Sequence, residues 1–192
     1  MAKRPASTNT LRIIAGEFGG RRLRFPDVKG LRPTGDRNRE TLFNWLQPYV
    51  SDSRVLDLFA GSGALGFEAV SRGAAQLSLV EANALAVRQL RENVNLLGID
   101  QKTDIFHGRA ANWLTQNEES FDIVLLDPPF ADNLLQQTID GLETGHCVTP
   151  GGHVYMERDV HQAMPVLPDN WQVIRDKQQG QVSFSLIQVD NG

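Results

Sequence analysis

From Arg54 onward, short apolar runs of strand length alternate with longer stretches of helical spacing, and this alternation restricts the fold more than any other feature. Val55–Phe59, Leu77–Val80, Asp104–His107, Phe121–Leu126 and His153–Glu157 read as strands, and Ala64–Arg72, Ala84–Leu97, Ala110–Gln116 and Asn133–Leu142 as the helices between them. Leu85, Leu90, Val94 and Leu97 fall near helical spacing, while Gly73 and Gly98 close two of the helices. Strands this apolar are buried on both faces, which predicts a mostly parallel α/β sheet with helices on either side. Trp171–Lys177 and Gln181–Val189, joined through Gln178-Gln179-Gly180, read as a closing antiparallel hairpin. Crossovers in such a sheet are right-handed, and ligands lie beyond the carboxyl ends of the strands. That puts any chemistry at Phe59–Gly66, Glu81, His107–Ala110 and Asp127–Phe130.

The segment before this pattern differs in kind. Residues 1–10 read as an unstructured polar tail. Leu11–Ala15 and Arg21–Phe25 read as a hairpin around Gly16–Gly20; a loop at Leu31–Gly35 and a helix over Asp36–Gln47 follow, stopped by Pro48. Residues 1–39 carry ten basic and three acidic side chains, whereas the rest of the chain carries nine basic and twenty acidic. A basic end on an acidic body suits contact with a polyanion through the first segment alone, and nucleic acid fits best. At 192 residues and 41% hydrophobic, the chain is long and apolar enough for one packed domain with an appendage. No run of 18 apolar residues occurs, and the basic N-terminus leads into no apolar stretch, so neither a membrane span nor a secretory signal is expected. One cysteine, Cys147, excludes an internal disulfide framework and suits a reducing cytoplasm.

Gly61-Ser62-Gly63-Ala64-Leu65-Gly66 matches G-x-G-x-x-G, and Glu81 stands twenty residues after Gly61. Alone, that spacing fits a dinucleotide site. The flank argues otherwise: an acid at Asp57, in the last turn of the preceding strand, repels a pyrophosphate but suits a ligand with an ammonium group. S-adenosylmethionine carries an ammonium and a sulfonium and no phosphate. Glu81 accepts from ribose hydroxyls in either cofactor class and does not discriminate. A nicotinamide oxidoreductase and a non-catalytic binding module remain open at this point.

Asp127-Pro128-Pro129-Phe130 ends the most apolar strand. Two prolines remove two backbone donors and fix both φ angles, an ionised Asp127 only accepts, and Phe130 offers a flat face. Such a loop takes hydrogen bonds from an NH₂ group while a planar base stacks, worth about 1–3 kcal/mol. The lone pair of an exocyclic amino nitrogen is delocalised into its ring. Acceptors at Asp127 and at the Pro128 carbonyl favour the pyramidal nitrogen that attacks a methyl carbon, and Asp127 takes or relays the leaving proton.

Asp57–Gly66 and Asp127–Phe130 look like motifs I and IV of class I amino methyltransferases. The strings Arg12–Gly16 and Leu31–Leu46, with Arg32-Pro33-Thr34-Gly35-Asp36-Arg37 at their centre, are similar to the bacterial RsmD family, which methylates N2 of one guanine in 16S ribosomal RNA. The likeness runs from Leu11 through nearly the whole chain. It implies a Rossmann-like fold with a mostly parallel seven-stranded sheet, an antiparallel C-terminal hairpin and an N-terminal hairpin-and-helix extension, divided into an RNA-contacting unit over 1–47 and a methyltransferase domain over 48–192. It also implies S-adenosylmethionine as cofactor and S-adenosylhomocysteine as product, with no metal. Asp57, Phe59, Ala60, Gly61, Ser62, Gly63, Glu81, Ala82, Arg109 and Ala110 would bind the cofactor. Asp127, Pro128, Pro129 and Phe130 would form the catalytic loop, and Arg12, Arg21, Arg22, Arg24, Arg32, Arg37 and Arg39 would meet the RNA. The partner implied is 16S rRNA, free or within a small-subunit assembly particle, for a monomeric, cytoplasmic enzyme without a membrane partner. Where the family commonly places an acid against the adenine amino group, this chain reads His107-Gly108-Arg109-Ala110, so backbone near Arg109 and Ala110, or another residue, must hold the adenine. The Asp-Pro-Pro-Phe motif also occurs in adenine-N6 enzymes acting on RNA or DNA, which stay as the alternative.

The four histidines lack metal-ligand spacing and read as loop or surface residues. Cys147 reads as a small buried hydrophobe. Trp45 and Trp171 read as core, and Trp113 as core or as a wall of the adenine pocket.

Overall fold

The computed structural model describes residues 8–28, 35–130 and 134–190. The expected tail over 1–7, Arg32 with most of its loop, and Asn133 at the head of an expected helix lie outside these. β1 (Thr8–Arg12) and β2 (Arg22–Pro26) pair as a separate antiparallel hairpin, followed by α1 (Asp36–Leu46). Then β3 (Arg54–Asp57), α2 (Ala64–Ser71), β4 (Gln76–Glu81), α3 (Ala84–Leu97) and β5 (Thr103–His107) alternate, with a 3-10 turn at Asp100–Lys102. They continue with α4 (Ala110–Leu114), β6 (Phe121–Leu126), α5 (Leu135–Thr144) and β7 (Val148–Asp159), and end in β8 (Trp171–Gln179) and β9 (Val182–Val189).

Seven strands form one sheet in the order β5-β4-β3-β6-β7-β9-β8, parallel up to β7 and antiparallel across β9 and β8. The chain winds outward from β3 to β5 and then returns to β6 on the other side of β3. Helices on opposite faces therefore diverge between β3 and β6, and a crevice opens at their carboxyl ends.

Strand side chains alternate between two cores. Val55, Leu77, Leu79, Ile123, Leu125, Tyr155 and Phe184 join α1, α2 and α3 on one face. Leu56, Val80, Val124, Leu126, Val154, Met156 and Ile187 join α4 and α5 on the other. This period of two on a doubly covered sheet is the reason the strands carry no polar stripe. Cys147 is fully buried, Trp171 is buried, and Trp45 packs against Phe184 at 5.4 Å between ring centroids. Among the described residues no helix is long and apolar enough to cross a membrane.

Two sequence readings move. The first strand starts at Thr8, inside the expected tail, and ends at Arg12 rather than Ala15. The cause is α2: the Ile14 and Ala15 N–H groups donate to the carboxylate of Glu68 (2.8 and 3.1 Å) instead of to a ladder. The expected strand at His153–Glu157 extends from Val148 to Asp159, because Val148 already pairs with Phe121 ahead of a bulge and the ladder that resumes at His153 runs past Glu157.

The N-terminal segment is not a loose appendage. Leu11, Ile13, Phe18, Leu23 and Phe25 belong to the same core as α1 and α2. Ser71 donates its hydroxyl to Ala15 O (2.5 Å), accepts from Phe18 N–H at Oγ (3.0 Å), and accepts from Glu17 N–H at its carbonyl (2.7 Å). Gly16 sits with φ +82° so close to this turn that an added Cβ would lie 1.8 Å from Ser71 O. Glu68, buried in the middle of α2, holds both Ile14 and Ala15 and is balanced by Arg72 Nε at 2.7 Å. Replacing it by alanine strands two half-buried donors and a guanidinium. Glu68→Ala is expected to lower unfolding free energy by about 2–5 kcal/mol. Urea denaturation checks this, and a loss below about 1 kcal/mol would show that the clamp carries no weight.

Candidate active site

The glycine loop leaves β3 at Asp57 and enters α2 at Ala64. It is held at both ends by carboxylates. Glu81, at the end of β4, accepts from Gly61 N–H at Oε2 (2.7 Å) and from Asn83 N–H at Oε1 (2.6 Å). Asp57 accepts from Gly66 N–H at Oδ2 (3.1 Å), so the strand end grips the first turn of α2. Between them Gly63 N–H donates to Ala60 O at 2.6 Å, and Ala60 N–H reaches across to Val80 O at 2.9 Å. Gly63 has φ +79°, and a Cβ there would lie 2.3 Å from the Phe67 ring. No other residue fits that bend. Ala60 and Ser62 are buried, Phe59 and Gly61 half-buried, and Ala82 is exposed at the rim.

Asp57 is itself buried, and its Oδ1 has no hydrogen-bond partner among the described residues. Burial pushes its pKa up from 3.8 to about 7, opposed by the bond from Gly66 and reinforced by the negative charge of Asp127. A buried acceptor with a free oxygen at the carboxyl end of a central strand is a seat for a cationic donor.

β3 pairs with β6 from Val55↔Ile123 to Asp57↔Leu125, so the loop at Asp127–Phe130 emerges beside Asp57 across the crevice. Asp127 and Phe130 are half-buried, Pro128 is buried and Pro129 is exposed. The Phe130 carbonyl accepts from Gln162 Nε2 at 2.6 Å, which ties this loop to the chain after β7. Thus the two loops singled out in the sequence meet at the topological switch point.

One further acid was less legible. Glu157 stands on β7 with its Oε1 accepting from the Tyr155 hydroxyl at 2.6 Å, both side chains being buried. Its pKa is raised to about 8, by burial first and by the charge of Asp127 second. Burial likewise drives the Tyr155 hydroxyl well above its usual range, with Glu157 adding to it. Glu157 shares with Asp57, Glu81 and Asp127 the sequence signature of an acid ending an apolar strand, and that signal could have found it. Asn83 caps α3, its Oδ1 accepting from Leu85 and Ala86 N–H at 2.9 and 3.2 Å.

At the end of β5, Gly108 N–H donates to Glu81 O at 3.0 Å, which draws the 107–110 loop against the end of β4. Arg109 is exposed and Ala110 half-buried at the start of α4. Trp113 tilts against Phe121 at 5.8 Å and packs on the second core.

A family model described as conserved hypothetical protein 95 matches residues 11–188. The ribosomal RNA small subunit methyltransferase D of Escherichia coli (strain K12) is 42% identical over 183 residues, covering 95% of this chain and 92% of that one. Its Haemophilus influenzae counterpart (strain Rd) is 40% identical, covering 96% of both. The solved Escherichia coli protein yhhF superposes with a TM-score of 0.90 at 40% identity, over 96% of this chain and 100% of that one. The chain belongs to this family. It is a methyltransferase, and the resemblance to the RsmD family drawn from Asp57–Gly66, Asp127–Phe130 and the N-terminal string holds over the whole fold. More distant methyltransferases, one complexed with S-adenosylhomocysteine, share the architecture at 12% identity and a TM-score of 0.73.

Of the arginines that the family resemblance assigned to RNA, Arg12, Arg21, Arg22, Arg24 and Arg37 are exposed. Arg21 lies over the Phe18 ring at 5.3 Å. Arg39 needs correction: it is fully buried, paired with Asp36 (2.6 Å) and donating to Arg12 O (2.9 Å) and Ala64 O (3.5 Å). Its guanidinium ties α1 to the hairpin and to the first turn of α2, so it serves the fold and not the RNA surface. Arg32 lies outside the described residues.

The raised Asp57 pKa has a stability consequence with a definite sign. A carboxyl whose folded pKa exceeds its unfolded value favours the fold fully below about pH 4, and that contribution is lost as pH rises through about 7. Asp57→Asn, which keeps an acceptor for Gly66 N–H, is expected to stabilise the ligand-free protein near pH 8 and to make little difference below pH 4. Urea titrations at both pH values test it; a variant no more stable than wild type near pH 8 contradicts the assignment.

Proposed function

We propose that this chain transfers a methyl group from S-adenosylmethionine to the exocyclic N2 amino group of a guanine in 16S rRNA, as a cytoplasmic monomer that meets the RNA through residues 1–47. The observation that carries the reading is the juxtaposition, at the β3/β6 switch point, of a glycine loop pinned by two carboxylates with an acid–proline–proline–aromatic loop. The names of the relatives at 40–42% identity support ribosomal RNA of the small subunit as the substrate class.

The residues present fit the cofactor. The unpartnered Oδ1 of Asp57 suits its ammonium, and Glu81, whose oxygens each accept only one backbone N–H, retains lone pairs for ribose hydroxyls. Gly61 and Gly63 give the backbone a close approach where a Cβ at Gly63 would collide with Phe67. Phe59, Ala60, Ser62 and Ala82 line the same loop and rim, and backbone at Arg109 and Ala110 faces the adenine end. S-adenosylmethionine supplies a methyl group already activated on a sulfonium, so the protein has mainly to position an acceptor. Orientation of that kind is worth up to about 7–11 kcal/mol.

Asp127 and the Pro128 carbonyl accept hydrogen bonds from the two amino N–H groups, which localises the lone pair on nitrogen. Asp127 then holds the proton that nitrogen releases. Phe130 stacks on the extruded base, and Pro128 and Pro129 keep the loop from relaxing. Arg12, Arg21, Arg22, Arg24 and Arg37 present an exposed basic surface on the hairpin and α1 for the RNA backbone, with Arg32 on the connecting segment. The carboxyl-rich crevice itself would repel phosphate, so RNA is gripped outside it and only the base enters.

Asp127→Ala is expected to abolish methyl transfer to rRNA lacking the modification while S-adenosylhomocysteine binding by calorimetry stays nearly unchanged; near-normal turnover refutes the amino-group role. Digesting the methylated product to nucleosides separates N2-methylguanine from N6-methyladenine. Replacing Arg21, Arg22 and Arg24 together by glutamine is expected to weaken RNA binding and to flatten its salt dependence by up to about 0.7 in log–log slope per lost phosphate contact. An unchanged slope moves the RNA surface elsewhere.

A further inference from the structure

Building on the assignment of Asp127 to the amino group, we propose that Asp127 and Glu157 act as a pair sharing one proton, in which Glu157 is the positioning residue that keeps the Asp127 carboxylate aimed at the substrate nitrogen. β6 and β7 pair in parallel up to Leu126↔Met156, strands in such a ladder lying about 4.8 Å apart, so Asp127, the first residue past β6, leaves the sheet beside Glu157 on β7. Leu125 and Tyr155 are partners and share one core, so alternation places Asp127 and Glu157 on that same face. Glu157 is 3% exposed and fixed by the Tyr155 hydroxyl at 2.6 Å. Its neighbour from β9 is Phe184, which offers no charge. The groups acting on it are therefore Asp127 across the strands and Tyr155 along its own, while Asp127 in turn faces the Asp57 carboxyl at the end of β3, whose charge the cofactor's ammonium would balance in turnover.

With Glu157 buried and Asp127 half-buried beside it, charging both carboxyls at neutral pH is costly, and a proton is then held by the pair. The deeper burial of Glu157 and its pKa of about 8 make it the holder, which leaves Asp127 ionised as acceptor. After methylation the nitrogen loses one proton: the N–H bonding pair stays on nitrogen, an O–H bond forms on Asp127, and the pair goes from one proton to two. Release of one proton to water restores it. Above about pH 8 the pair loses its shared proton and carries two negative charges. Glu157 cannot move, being held by Tyr155 and the β7 ladder. Asp127, half-buried on a loop, turns away, and the rate falls.

The test uses two readouts on the full chain. In the ligand-free protein, carbon-13 NMR of glutamate carboxyls should show one titration near pH 8 that is absent in Glu157→Gln. Because the Tyr155 hydroxyl favours the ionised form, the same titration should move upward in Tyr155→Phe. In turnover at saturating cofactor, each profile being scaled to its own maximum, wild type should fall about thirtyfold between pH 7 and 9.5, as one deprotonation near pH 8 requires. Glu157→Gln should lose that alkaline limb, and Tyr155→Phe should shift it upward. A wild-type profile flat to about pH 9.5, or a Glu157→Gln profile with the wild-type limb, overturns the proposal. Thermal melting confirms that both variants fold, and Tyr155→Phe remains informative should Glu157→Gln fail to. Turnover is read as S-adenosylhomocysteine formed, whichever nucleoside is methylated, so an error in the guanine assignment leaves these arms readable and is exposed instead by the nucleoside digest.

Discussion

The capture of backbone N–H groups by buried or half-buried carboxylates is the interaction on which the rest of this molecule depends. Asp57 holds Gly66, Glu81 holds Gly61 and Asn83, and Glu68 holds Ile14 and Ala15. The first two set the curve of the glycine loop, and the third sets where the N-terminal hairpin sits. All act on or around α2, the helix that begins where the cofactor loop ends. A loop with this many glycines would otherwise sample many conformations, and each charge-assisted bond to a carboxylate is stronger than its neutral counterpart.

The same arrangement explains why the N-terminal extension is not a separate body. Its apolar residues enter the core beneath α1 and α2, and Arg12, Arg21, Arg22, Arg24 and Arg37 are exposed. Arg39 is spent inside, linking the carbonyls of Arg12 and Ala64, so displacement of α1 would be felt at the first turn of α2. The basic surface is thereby held in fixed relation to the crevice, although the two ends of the chain's charge are opposite in sign.

Asp57, Asp127 and Glu157 line adjacent strand ends, and their mutual repulsion is an electrostatic cost the fold carries at its centre. Acids concentrated where desolvation penalises them are characteristic of sites under functional constraint. Burial raises the Asp57 pKa first, the charges of Asp127 and Glu81 add to it, and the backbone N–H groups of Gly66 and Phe59 oppose them.

Periodicity and punctuation alone determined the sheet, the helices on its two faces and the loops that carry the chemistry. Apolar runs of strand length can be buried only in a covered parallel sheet, and a parallel sheet places its ligands beyond its carboxyl ends. Asp57, Glu81 and Asp127 were legible for that reason. Tertiary structure alone decided which charged residues turn inward. Arg39 reads as one more basic residue beside Arg37, yet the packing of α1 against the hairpin and α2 encloses it. Ile14 and Ala15 read as strand, yet Glu68, more than fifty residues away, takes their hydrogen bonds. Glu157 gains its character from lying beside Asp127, a register set by a ladder between segments about thirty residues apart. Burial and long-range pairing are properties of the assembled chain, and no local pattern records them.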